Sequence, residues 1–243
     1  MADHEQGRGG AWSRRRQRAE EFWSSDWSLR TLLILLVGNI FTLPLVGFDL
    51  WGRLVARAIF SLIIISGVVA TVRSRLVVLV AAVFTAGILW VGWKNVEEGT
   101  PRLHVANDVA ALIFIALFVV LLLRQVFRDG PITMRRVEGA VAIYLLLGLM
   151  WGLAYELVEL LSPASFNIGQ ISFATAFTEL SYFSFTTLTT VGFGDILPVN
   201  PVARALAVLE ALVGQLFPVV LIARLVAMEL AYRQHRTEPA HHE

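Results

Sequence analysis

Thr190-Val191-Gly192-Phe193-Gly194-Asp195 is a run whose backbone, more than its side chains, can do chemistry. Glycine tolerates angles that other residues resist, so Gly192 and Gly194 let consecutive peptide planes aim their oxygens at one axis instead of alternating. A row of carbonyls aimed at one axis is an oxygen cage able to replace the hydration shell of a cation.

Such a loop needs a scaffold, and the composition indicates which kind. The chain of 243 residues is 56% hydrophobic and 16% charged, with a mean hydropathy of +0.67 and no cysteine, values extreme for a soluble domain. Lack of cysteine excludes disulfides and thiolate metal sites. Crossing the hydrocarbon of a bilayer takes about 20 apolar residues in a helix. Six such runs occur, near Thr31–Phe48, Leu54–Thr71, Leu76–Trp93, Val105–Leu123, Gly139–Leu160 and Val202–Leu230. The first is read as a retained anchor, because no small-residue cleavage site follows it.

Charge distribution sets an orientation. With the N-terminus cytoplasmic, 15 of the 20 Lys and Arg residues fall inside, among them Arg14, Arg15, Arg16, Arg135 and Arg136, and 5 fall outside. The positive-inside rule therefore puts both termini in the cytoplasm and the Thr190–Asp195 run on the outer side. Residues 1–28 form a polar tail, 29–127 a four-helix bundle, 128–137 a linker opened by Asp129-Gly130-Pro131, 138–230 a unit built on the last two spans, and 231–243 a short tail. Glu156, Glu159, Glu179 and Asp195 lie near the outer face, as a cation-attracting vestibule or as ordinary loop acids.

Phe173–Leu188 is too short to span and runs directly into the glycine loop. It reads as a half-helix that enters the membrane and returns, with Ser172 or Thr175 as its N-cap and its C-terminal carbonyl dipoles favouring a cation. Asn200-Pro201 pairs a capping residue with a proline of the first turn and so starts the last helix.

The segment from Tyr182 through Phe183 and Thr186 to Asp195 resembles the pore helix and selectivity filter of tetrameric potassium channels. With its flanking helices the similarity covers about Val137–Leu230. The resemblance implies an all-α membrane protein of six transmembrane helices, plus a re-entrant pore helix and selectivity-filter loop between helices five and six. It implies K⁺ sites formed by the carbonyls of Thr190, Val191, Gly192 and Phe193, with the Thr190 hydroxyl ringing the innermost one and Gly194 turning the chain outwards. Asp195 would accept a hydrogen bond behind the filter from Tyr182, while Phe183 and Phe193 would pack as an aromatic collar. Phe193 stands where tyrosine is commoner, which removes one phenolic hydrogen bond, so Phe193→Tyr is expected to slow the loss of current under sustained opening.

In the last helix Gly214 falls where this family commonly has its hinge glycine, and Pro218 cannot donate to the Gly214 carbonyl, so the two suggest a kink, moving or static. Glu210 and Gln215 are polar residues inside an apolar span and are functional candidates for that reason. Glu210 is expected behind the pore helix as a buried, hydrogen-bonded carboxyl and not as an ion ligand. The Pro-Val-Pro bend of many voltage-gated channels is absent.

The fourth run, Val105–Leu123, contains no Arg or Lys, whereas voltage sensing needs charge moving through the field. No nucleophilic triad, phosphate loop or HExxH cluster is present, so an enzyme is not expected. The resemblance thus implies a homotetramer in the lipid bilayer of a plasma membrane, with no nucleic-acid partner and no cofactor beyond K⁺ as the permeant ion. A weakly selective cation channel and a K⁺ transporter subunit are the alternatives.

Overall fold

A computed structural model describes residues 27–45, 62 and 63, 86 and 87, 101–128, 133–168 and 173–237. Five long helices lie within them: α1 (Trp27–Leu45), α2 (Pro101–Val126), α3 (Met134–Leu161), α4 (Phe173–Leu188) and α5 (Pro201–Thr237). Among the described residues, three segments are long and apolar enough to cross a membrane: His104–Val126, Met134–Leu161 and Pro201–Leu230. They coincide with the fourth, fifth and sixth expected spans, and α1 occupies the first. Nearly all of the second and third expected spans lies outside the described residues, as do the tail before Trp27 and Ser172, one of the two caps proposed for the half-helix; the other, Thr175, falls inside α4, two residues after its start, and not at the cap position.

α3 is the central element, and α1, α2, α4 and α5 all pack on it. Its 28 residues carry buried positions on every side, including Ala142, Ile143, Leu146, Leu149, Leu153 and Tyr155. Helices that are apolar all round belong in such a central place. The helix starts at Met134, four residues ahead of the boundary expected at residue 138. Arg30 Nε donates to Glu138 Oε1 across 2.9 Å, and beside this pair Gly139 lies close to Val126 of α2. The first and second described helices are therefore held to the same end of α3.

Glycines decide how closely α4 approaches α3. A β-carbon on Gly148 would stand 2.4 Å from the Phe185 ring, and one on Gly152 would stand 2.7 Å from Ser181 Oγ. Spaced four apart, the two present a smooth strip that lets the backbones come together, the usual device for joining helices where the surroundings are as apolar as the side chains. Ser184 uses the approach to donate to the Gly148 carbonyl at 2.7 Å.

The loop leaving α3 is built on Glu159. Its carboxylate accepts from the backbone N–H groups of Ala164, Ser165 and Phe166, at 2.8, 2.9 and 3.2 Å. Ala164 takes a left-handed φ of 64° inside this turn. The ordered loop then pairs with the segment before α5: Phe166 bridges Pro198, Asn167 N donates to Leu197 O, and Val199 N and Asn200 N both donate to Ser165 O. Glu159 thus serves as a loop carboxylate with a structural task. Asn200 caps α5 as expected, its Oδ1 accepting from Val202 N at 2.8 Å.

Candidate cation-binding site

Left-handed φ recurs at every second residue of the glycine run, with 59° at Thr190, 54° at Gly192 and 79° at Gly194. Alternation of hand points successive peptide groups the same way instead of to opposite sides. The amide hydrogens turn back onto α4: Thr190 N donates to Thr187 O at 2.9 Å, and Val191 N and Gly192 N share Thr186 O at 2.9 and 3.1 Å. Thr186 thereby supports the run through its backbone, while its own hydroxyl is tied to Phe183 O at 2.9 Å. Among the described residues no donor claims the carbonyls of Thr190 to Gly194. The arrangement is a strand of carbonyl oxygens free of protein donors, backed by a helix.

Behind it stands Asp195. Tyr182 Oη donates to Asp195 Oδ2 at 2.8 Å, and Ile196 N donates to Oδ1 at 3.1 Å. The phenol hydrogen bond is the main cause that holds the Asp195 carboxyl below the usual carboxylate range, with the backbone N–H groups of Asp195 and Ile196 adding to it against some desolvation. The Tyr182 ring also stacks on Phe193, centroids 6.4 Å apart and planes 4° from parallel.

The collar expected between Phe183 and Phe193 does not form within the chain. Phe183 faces the opposite side of α4, buried against Tyr155 and Phe166 at 5.1 and 5.4 Å. Successive helical residues point about 100° apart, so only one of Tyr182 and Phe183 can face the loop. Tyr182 takes that place, and Phe183 joins the core.

Three residues of α5 reach α4 and the loop. Glu210 is fully buried, with Oε2 accepting from Tyr155 Oη and Oε1 within hydrogen-bond distance of Ser184 Oγ, both at 2.5 Å. It joins α3, α4 and α5 at one point, in agreement with the expectation of a buried, hydrogen-bonded carboxyl. Gly214 meets the end of α4: a β-carbon there would lie 1.9 Å from Leu188 O, an atom that also accepts from Tyr144 Oη at 3.1 Å. Gln215 Nε2 donates to Thr190 Oγ1 at 2.9 Å. Pro218, one turn further, stands inside a continuous helix.

Sequence reasoning missed Ser184, Gly148, Gly152 and Tyr144. The small-x-x-x-small spacing of Gly148 and Gly152 in an apolar run was the available signal for the two glycines. Nothing comparable marked Ser184 or Tyr144, whose partners lie 26 and 44 residues away.

Residues 142–230, from the first turns of α3 through α4 and the glycine loop to α5, match a protein family described as ion channel. The chain is similar to the inward rectifier potassium channel Kirbac3.1 of Paramagnetospirillum magnetotacticum, being 33% identical to it over 78 residues, which is 30% of this chain and 23% of that protein. This chain therefore spans about a quarter of that relative's length. No solved structure matches it.

Proposed function

We propose that the chain is one subunit of a potassium-selective channel, in which four copies set the Thr190–Gly194 oxygens around a shared axis and K⁺ passes down its gradient. Its support is the backbone of the glycine run, where left-handed φ alternates and the amide hydrogens of Val191 and Gly192 are drawn back to Thr186. One such strand cannot surround an ion, and closed rotational symmetry is the ordinary way to complete a ring. The same residues are open in the single chain, Phe193 being 70% and Val191 55% exposed.

In this reading α4 is the re-entrant pore helix, its C-terminal dipole aimed at the cation. The mouth lies on the outer face of a plasma membrane, and both termini are cytoplasmic. K⁺ at Thr190, Val191, Gly192 and Phe193 is the permeant ion. The expected fourth span lacks Arg and Lys, so opening is not driven by a conventional voltage sensor.

A planar-bilayer recording of the purified chain under asymmetric K⁺ and Na⁺ tests the proposal. A reversal potential near the K⁺ equilibrium value is expected, with little change of open probability across a voltage series. Comparable K⁺ and Na⁺ permeation would leave a weakly selective channel, and turnover at carrier rates would leave a transporter subunit.

A further inference from the structure

We infer that Gln215 is a positioning residue for selectivity: its side-chain amide holds the Thr190 hydroxyl, so that α5 sets the innermost oxygen ring of the conduction path. The inference rests on the channel reading above and adds to it a residue that acts from outside the filter run.

Two observations converge on the contact. The first is backbone strain at Thr190. A φ of 59° is rare for a β-branched residue, and such outliers persist only where the surroundings over-determine them. Thr190 is exposed, so packing alone does not hold it; its amide is tied to Thr187 O and its hydroxyl to Gln215 Nε2, 2.9 Å in each case.

The second is the docking of the preceding residue. Gly214 lies so close to Leu188 O that no side chain fits between them. Leu188 closes α4 two positions before Thr190, so docking Gly214 at that carbonyl fixes how far the next side chain of α5 extends towards the loop. Glutamine has the length and the donor to span the remaining gap.

The consequence follows from hydroxyl chemistry. A threonine hydroxyl has one proton and two lone pairs, and an untethered one rotates. An incoming N–H occupies one lone pair and limits that rotation, leaving the other lone pair for a cation. Without the donor the hydroxyl dipole is free to turn its proton towards the ion, which weakens the ring that strips water from K⁺. Na⁺ holds its water more tightly, and a softened ring discriminates less between the two.

The test measures reversal potentials of full-length protein in bilayers with K⁺ opposite Na⁺, for wild type, Gln215→Met, Gln215→Asn, Thr190→Val and the Thr190→Val/Gln215→Met double variant. Methionine keeps the length without the donor, and asparagine keeps the amide one methylene too short. Each is expected to lower the K⁺-over-Na⁺ permeability ratio about tenfold, the effect of one lost hydrogen bond near the upper end of its usual worth. In the Thr190→Val background, which has no hydroxyl to hold, Gln215→Met is expected to change the ratio no further.

Reduced current with an unaltered ratio in whichever Gln215 variant folds would mean that the residue serves assembly only, and overturns the inference. Full additivity of the two substitutions overturns it as well, because contacting residues must couple. A wild-type protein that passes no K⁺ above protein-free bilayers would remove the channel reading and this inference together. A conducting, selective wild type with an unchanged Gln215→Met ratio removes the inference alone.

Discussion

Tyr182 and Asp195 lie 13 positions apart and meet through a 2.8 Å hydrogen bond from phenol to carboxylate. The bond ties the outer end of the glycine run to the helix behind it, while the Thr186 carbonyl ties the inner part. Because the folded carboxyl is held below its ordinary value, this tie is complete above the unfolded value of about 3.9 and is lost as pH falls through the lower folded value. Current stability under sustained opening should therefore be equal at pH 7 and 5 and decline only below about pH 4. Tyr182→Phe removes the main cause of the shift, so its current should decay faster at neutral pH and its acid loss should begin at higher pH. Current decay recorded at several pH values checks both.

Gly148 and Gly152 set the distance between α3 and α4, and alanine at either should be felt. The Gly148→Ala methyl meets a ring that can move, whereas the Gly152→Ala methyl meets Ser181 Cα at 3.0 Å, which cannot move without shifting α4. A cost of about 1–3 kcal/mol is expected, with Gly152→Ala the larger. Gly38→Ala, where nothing stands within 4 Å, is the control and should be neutral or slightly stabilising. Thermal unfolding in a fixed detergent gives the order.

Much of this arrangement was legible in the sequence, for reasons that differ by residue. The bounds of α4 follow from an apolar stretch that stops at a glycine loop, and the Asn200 cap follows from a side chain competent to bond the first free amides. The pairing of Tyr182 with Asp195 came from the family resemblance and not from spacing. The collar role expected of Phe183 came from the resemblance as well, and within the chain that ring instead packs on Tyr155 and Phe166. Glu159 was left between a vestibule charge and an ordinary loop acid, and three converging amides favour the second; those amides are positioned by a turn that no local pattern announced.

Glu210 separates hydrogen bonding from charge. Ser184 Oγ has one proton but lies 2.7 Å from Gly148 O and 2.5 Å from Glu210 Oε1, both acceptors. Glutamine at 210 satisfies every partner, because its amide nitrogen donates to Ser184 Oγ, Ser184 donates to Gly148 O, and Tyr155 donates to the amide oxygen. Glu210→Gln leaves only its second amide hydrogen without a partner among these groups and should lose less stability than Glu210→Leu. Glu210→Leu leaves the buried Tyr155 hydroxyl without its acceptor and should cost about 1–3 kcal/mol. Unfolding of the two variants side by side distinguishes a hydrogen-bonding role from one that needs the carboxyl itself.

Pro218 is the better place for α5 to bend. Upstream, Glu210 is bonded to α3 and α4, Gly214 abuts Leu188 O, and Gln215 reaches Thr190, so three contacts within six residues hold this part of the helix. A bend at Gly214 would have to open its contact with Leu188. Downstream, Val219, Val220, Ile222, Val226 and Leu230 are exposed in the single chain, and Pro218 removes the N–H that would bond the Gly214 carbonyl. On the proposed channel reading, the half-helix beyond Pro218 is the part to swing, while the half before it holds the glycine run. Pro218→Ala restores the missing hydrogen bond and is expected to change open probability with the K⁺-over-Na⁺ ratio preserved. Gly214→Ala, which forces a methyl to 1.9 Å from a backbone oxygen, should instead impair folding or selectivity. Single-channel recordings of the two variants decide between the positions: altered gating with preserved selectivity in Gly214→Ala, and none in Pro218→Ala, would return the bend to the glycine.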